Sequence, residues 1–280
     1  MDYVGRVPAP PLDLFIDDIY CMSGRPRHRL MSVPPMPSAH LFVNLGGPVR
    51  LWDSDPAVPP VVLTGGWFMG VWTRRFVVEY PKPLRLVGVH FKPWGLSPFV
   101  DPPATELRDT WMPVDGGWRR SVERIRDRAG DRAPATATLR VLEQELRSRL
   151  AGRSARGLGL VQHTGERLEA ANGAVPIGAL TDAAGVTGNL LAARFKQHVG
   201  ITPKRMARIY RFAQLITSVD PRRPVDWAEL AHAAGYFDQA HFSREFKDFT
   251  GHTPTGYLDL RRRFPAEPGF PPDAGPMPAE

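Results

Sequence analysis

The sequence predicts an α+β protein: a β-rich, barrel-like first half that ends in helices, and an all-α second half built from two copies of one helical unit. Three observations lead there. Short apolar runs broken by Pro and Gly fill the first ~110 residues, helical stripes begin at Trp118, and residues 161–260 contain an internal repeat.

The strands come first. Leu41 to Leu45 is an apolar run stopped by Gly46 and Gly47, and Leu84 to Phe91 is another, bounded by Pro83 and Pro93. Trp67 to Val78 is rich in aromatic and β-branched residues and gives one or two further strands. Pro56, Pro59 and Pro60 mark an exposed loop. Several short strands separated by turns make a sandwich or a barrel. In the Leu84–Phe91 run, Leu86, Gly88 and His90 alternate with Val87, Val89 and Phe91, which puts His90 on the less apolar face.

Helix follows. Val122, Ile125 and Ala129 share one face, and Leu139, Leu142, Leu146 and Leu150 form a second stripe. That leucine stripe fits a homodimer seam as well as it fits a helix packed on its own barrel. Arg147, Arg149, Arg153 and Arg156 accompany a hinge at Gly152, Gly157 and Gly159, dividing the chain into residues 1–156 and 161–264. Residues 265–280, with six prolines among 16 positions, read as a disordered tail.

The repeat carries most of the information. Phe195-Lys196, Gly200 and Thr202-Pro203 recur as Phe246-Lys247, Gly251 and Thr253-Pro254, offset by 51 residues. Upstream, Ala183-Ala184-Gly185 recurs as Ala233-Ala234-Gly235 at an offset of 50, the slip falling in the intervening turn. In the second copy Asp226, with Glu229 three residues on, makes a capping box for a helix from Trp227 to Ala234. Gly235 makes the turn, and Asp238 caps the next helix, where Phe242, Phe246 and Phe249 share a face. Thr187 caps the equivalent helix of the first copy, with Leu191 and Phe195 as its buried stripe. Between the copies Pro203 starts a helix running through Met206, Ile209, Phe212 and Ile216.

Opposite the phenylalanines, the second copy presents Gln239, Ala240, Arg244 and Lys247, flanked by His241 and Ser243. A packed back and a donor-rich front are what a recognition helix needs to lie in the major groove of double-stranded DNA. Small helical repeats of this kind also occur in modules that bind proteins, so DNA and an adaptor role both remain open. The first copy presents Asn189, Ala193 and Lys196, a front poorer in donors; Lys204 and Arg205 add basic positions on the connecting helix.

These residues resemble the AraC/XylS family of transcription regulators. The motif stands as Ala231, then Gly235-Tyr236-Phe237-Asp238-Gln239-Ala240-His241-Phe242-Ser243-Arg244-Glu245-Phe246, then Gly251-His252-Thr253-Pro254. The resemblance covers about 100 residues and implies two helix-turn-helix units on a long linker helix, entering successive major grooves. It implies base contacts for Gln239 and Arg244. The first unit departs from the pattern, with Thr181 in place of a common alanine and Ala193 in place of an arginine. The first half resembles the sensory half of such regulators, a cupin-like barrel. That implies a small-molecule effector, with Trp67, Trp72, His90 and Trp94 as candidate pocket residues; the same side chains equally make plain core. RNA polymerase is a candidate partner, and the sequence leaves both activation and repression of transcription open.

Composition narrows the remaining classes. Net charge is +7; residues 1–110 are nearly neutral, with 11 Lys/Arg against 10 Asp/Glu, whereas residues 111–160 carry 11 against 6 and residues 161–264 carry 14 against 10. A basic second half suits a polyanion without requiring one. One cysteine, Cys21, excludes an internal disulfide and any multi-cysteine zinc site, and reads as a small buried apolar residue. No two of the eight histidines lie two apart, which argues against a metal site, and no phosphate loop or hydrolase elbow occurs. No enzyme activity and no cofactor are expected. Neither a signal peptide nor a membrane span is visible, so a cytoplasmic protein is the expectation.

Overall fold

The computed structural model describes residues 1–55, 57–130, 133–150, 157–236, 238–265 and 277–279. The first half contains β1 (Asp2–Arg6), β2 (Ile16–Gly24), β3 (Leu30–Val33), β4 (Ala39–Asn44), β5 (Val49–Trp52), β6 (Val61–Leu63), β7 (Gly66–Met69), β8 (Phe76–Glu79), β9 (Leu84–Phe91) and β10 (Trp111–Pro113). Three helices belong to it: α1 (Ala104–Leu107), α2 (Gly116–Arg128) and α3 (Ala135–Leu150). One sheet runs in the order β1-β2-β9-β4-β7-β10 and a second contains β3-β8-β5-β6, with antiparallel pairing in both. The cupin-like arrangement is present as two sheets that, among the described residues, do not join into a closed barrel.

Alternation along each strand decides what goes where. Tyr20, Met22, Trp67, Met69, Leu84 and Leu86 meet Met31, Val49, Leu51 and Val78 of the other sheet in the sandwich interior. The intervening residues Ile19, Leu41, Val43, Val87, Val89 and Phe91 point the other way, onto Trp118, Val122 and Ile125 of α2 and Leu139, Leu142 and Leu146 of α3. The leucine stripe is therefore buried against its own sheet, and of the two readings open for it, packing on the barrel is the one observed.

Cys21 also lies on that outer face, half-buried, with Sγ 3.9 Å from the Ala135 carbonyl oxygen. Burial pushes its thiol up to about 11. Alkylation by iodoacetamide at neutral pH is expected to be slow in the folded chain and to accelerate on unfolding. A native rate equal to that of an unstructured cysteine peptide would contradict this burial.

The second half is helical: α4 (Leu158–Ala170), α5 (Ile177–Ala184), α6 (Gly188–Val199), α7 (Pro203–Ser218), α8 (Trp227–Ala233), α9 (Gln239–Thr250) and α10 (Pro254–Arg263). The repeat is visible as α5-α6-α7 and α8-α9-α10. In both copies the middle helix ends at a glycine of positive φ, Gly200 at 88° and Gly251 at 80°. A threonine then caps the next helix, Thr202 and Thr253 accepting from the backbone N–H groups of Arg205 and Gly256, with proline at its first position. Leu180, Leu191, Phe195, Met206, Ile209, Phe212, Phe242, Phe246 and Phe249 form one continuous core. Of the hinge stretch, Gly152, Arg153 and Arg156 lie outside the described residues, and Gly157, at φ 85°, is the N-cap of α4.

Two features depart from the sequence reading. Residues 265–280 were expected to be a disordered tail, yet Met277–Pro278 forms β11, pairing antiparallel with Ser32 and Met31 of β3. Ala279 N–H donates to the Leu30 carbonyl, and Met277 is buried. An edge strand tolerates Pro278 because its missing N–H is not needed on the outer side; residues 266–276 lie outside the described ones. Trp94 is the second departure. The chain turns sharply after β9, Gly95 N–H donating to the Lys92 carbonyl, and carries the indole out of the sandwich into the helical core. There it lies over Gly165 of α4, whose missing side chain leaves the space it fills.

Trp94 is one of several links between the halves. Ser97 Oγ is 2.8 Å from His198 Nδ1 of α6, and Arg205 of α7 donates to the Thr73 carbonyl at 2.6 Å. Gly200 packs so closely on α1 that a Cβ would meet the Ala104 carbonyl oxygen at 2.5 Å.

Candidate nucleic-acid interface

The second helix-turn-helix unit is built as its caps require. Asp226 accepts from the N–H groups of Ala228 and Glu229 at the start of α8, Gly235 turns the chain at φ 77°, and Asp238 accepts from His241 N–H at the start of α9. Phe242, Phe246 and Phe249 are buried, with Phe212 of α7 in edge contact with Phe246 and Phe249 and Trp227 of α8 beside Phe242. Gln239, Ala240, Arg244 and Lys247 stand exposed on the opposite face, and His241 and Ser243 are half-buried at its border. Phe237 lies outside the described residues.

One polar group on the buried side was not anticipated. Glu245, 1% exposed, accepts from the guanidinium of Arg208 on α7 and, at 2.8 Å, from the hydroxyl of Tyr236. Arg211 of α7 sits 5.4 Å above the Tyr236 ring. The network fastens α9 to the linker helix, so the aim of the reading face depends on a carboxylate behind it. The signal in the sequence was a charge flanked by the phenylalanines, a position at which an unpaired carboxylate is not tolerated.

In the first unit Thr187 accepts from Leu190 N–H, and Leu191 and Phe195 are buried. Asn189, Ala193 and Lys196 are exposed as expected. Leu190 joins them, 43% exposed among few exposed large apolar residues. An apolar side chain there can meet a thymine methyl group but cannot read a hydrogen-bonding edge. Lys204 is exposed at the start of α7. Arg205 is half-buried, bonded to the Thr73 carbonyl and placed 5.2 Å over the Phe249 ring, so it ties the halves together rather than joining the exposed face.

The candidate pocket residues are only partly brought together. Trp67 and Trp72 lie in the sandwich interior, and His90 adjoins them through a run of rings: Tyr20–His90 at 4.6 Å, His90–His40 at 4.9 Å, His40–Phe42 at 5.2 Å and Phe42–Trp67 at 5.3 Å. His90 Nδ1 is 2.6 Å from Asp18 Oδ1. Tyr20 reaches this row because Gly88 opposite it has no side chain. Trp94 is absent from the group, for the reason given above. His40 and Trp111, both passed over in the sequence, belong to it; Trp111 packs on Trp72 at 4.5 Å. Burial, reinforced by the neighbouring His90, holds the His40 imidazole well below its ordinary range and keeps it neutral. Among the described residues no three metal-ligating side chains converge, and no helix is long and apolar enough to cross a membrane.

The chain is thus a two-sheet domain joined to a pair of capped helix-turn-helix units. The family comparisons agree: residues 180–260 match a helix-turn-helix domain, and residues 6–113 match a domain of unknown function, DUF6597. Residues 180–260 of this chain are a helix-turn-helix domain by sequence as well as by structure. None of the curated proteins matches the chain. Among solved structures it is similar to ToxT of Vibrio cholerae O395, at 10% identity and a TM-score of 0.44, over 92% of this chain and 97% of that one. ToxT bound to (E)-4-(8-methylnaphthalen-1-yl)but-3-enoic acid gives 10% identity and 0.46, over 92% and 99%. Vibrio cholerae ToxT bound to an unsaturated fatty acid gives 11% and 0.43, over 92% and 95%.

Proposed function

We propose that the chain is a transcription regulator that binds duplex DNA sequence-specifically, with its second helix-turn-helix unit reading bases and its first mainly positioning the protein. The observation that carries this is the contrast between the two exposed faces. Gln239, Arg244 and Lys247 offer donors on α9, whereas α6 offers Asn189, Leu190, Ala193 and Lys196. Arginine can bond guanine O6 and N7 together, worth about 1–3 kcal/mol of discrimination, while a lysine on phosphate adds affinity without specificity. Arg244→Ala is therefore expected to relax base preference in one half-site. Lys196→Ala is expected to weaken all sequences alike and to flatten the salt dependence. The measurement is a base-by-base affinity profile of both variants on a sequence selected from random DNA. Equal information in the two half-sites would defeat the assignment of roles.

The first half supports a second element of the same reading, a small-molecule effector held in the sandwich. His40 Nδ1, Trp72 Nε1 and Trp111 Nε1 are buried there without a hydrogen-bond partner, a costly arrangement that a bound polar molecule would relieve. A flat apolar molecule carrying a donor or acceptor suits these walls. Screening for ligands that raise the melting temperature of the full chain, repeated with Trp72→Phe, tests it; equal shifts in both proteins would place any ligand elsewhere. On this reading the protein acts in the cytoplasm without catalysis and delivers its signal, activating transcription, to RNA polymerase or to a second copy bound beside it.

A further inference from the structure

Between α7 and α8 the chain makes a short loop, Val219 to Val225, that neither recognition helix includes. Arg222 and Arg223 lie at its tip with side chains 90% and 83% exposed. The loop is not slack. Asp220 Oδ1 accepts from Arg222 N–H at 3.0 Å, Arg223 N–H donates to the Asp220 carbonyl at 3.1 Å, and Arg262 of α10 donates to the Pro221 carbonyl at 2.9 Å. A second bond from Arg262 reaches the Arg223 carbonyl at 3.4 Å, and exposed Arg263 follows it on α10.

We propose that Arg222 and Arg223 form a phosphate-binding arm of the DNA interface, outside the groove-reading surface of the second unit. This rests on the DNA-binding reading above and adds a contact to it. Position is the first support. The loop runs directly into α8, the first helix of its unit, and in helix-turn-helix docking the first helix crosses the sugar-phosphate backbone while the second enters the groove. Rigidity is the second: a guanidinium carried on a braced loop has less freedom to lose when it meets phosphate. The third is that the carboxylate paired with this tip, the only one among the described residues, is exchangeable. Asp220 lies 3.1 Å from Arg222 and 3.6 Å from Arg223, both pairs open to water, where an ion pair is weak and phosphate competes well. The N–H groups of α8 are already capped by Asp226, so the anion affinity belongs to the arginines rather than to the helix end.

The test uses the full chain and a mixed-sequence duplex of roughly two helical turns, about 21 base pairs. Affinity is measured against salt concentration for the parent, Arg222→Ala/Arg223→Ala and Arg222→Lys/Arg223→Lys. Each phosphate contact contributes about 0.9 to the slope of log affinity against log salt, so the alanine pair should lower the slope by about 2 and the lysine pair should restore it. Unfolding curves that superimpose on the parent's establish that the variants fold; if they do not, Arg223→Ala alone is read, with an expected loss of about 1 in slope. An unchanged slope with DNA binding intact overturns the arm and leaves the DNA-binding reading standing, and is also the result if the arginines serve an acidic protein. A parent chain with no salt-dependent affinity for any duplex overturns both.

Discussion

Replacing Glu245 with alanine is expected to cost the folded protein about 3 kcal/mol and to lower its melting temperature by roughly 10 °C. The carboxylate is buried and serves two donors, the Arg208 guanidinium and the Tyr236 hydroxyl. Its loss leaves both without a partner behind the recognition helix. Breaking a buried pair from one side costs about 3–5 kcal/mol; the lower end applies because the Arg208 side chain is 30% exposed and can recover some water. Glu245→Gln keeps an acceptor for Tyr236 and should fall between parent and alanine. DNA affinity should drop with stability, since α9 is aimed through this network. An alanine variant within 1 kcal/mol of the parent in denaturant unfolding would show that the network contributes little.

The second large effect reverses the usual sign of a helix substitution. Gly165 lies inside α4, where exchanging glycine for alanine ordinarily stabilises by about 1 kcal/mol. Here a Cβ would stand 2.2 Å from Trp94 Cζ3 and 2.4 Å from Cε3, inside a fully buried ring. Gly165→Ala is therefore expected to destabilise by about 1–3 kcal/mol and to loosen the seat between the halves, read as earlier proteolysis near the hinge. Trp94→Phe, which shrinks the ring, should make the two changes less than additive. Independent, additive effects would mean that the ring and the glycine do not meet in solution.

Those two residues also mark where the sequence stopped being informative. Helix ends in the second half were legible because caps are local: Asp226, Asp238 and Thr187 announce themselves within four residues, and the repeat states the grammar twice. Strands β4 and β9 were legible for a similar reason, as apolar runs between glycine or proline stops. Strand β2 was not, since Asp17, Asp18 and Ser23 interrupt its pattern; His90 and Tyr3 meet Asp18 from other strands. The same non-local logic hid Arg205, whose basic charge promised a phosphate and whose actual partner is a carbonyl in the other half. The exposed face of α9 could be read in advance because a buried stripe fixes the opposite side. The sandwich interior could not, because its rings come from different strands and only register brings them together.

Strand β11 has a consequence for how the molecule comes to be made. It fills the edge of a sheet whose other strands lie within the first 79 residues, so this sheet is finished by the last described residues of the chain. A first half that folds as it emerges would do so with the β3 edge unpaired by β11, because residues 277–279 are translated after the helices of the second half. A bare edge invites pairing with another chain. Nascent copies on one message are then expected to join through that edge before residue 279 leaves the ribosome, and less so afterwards.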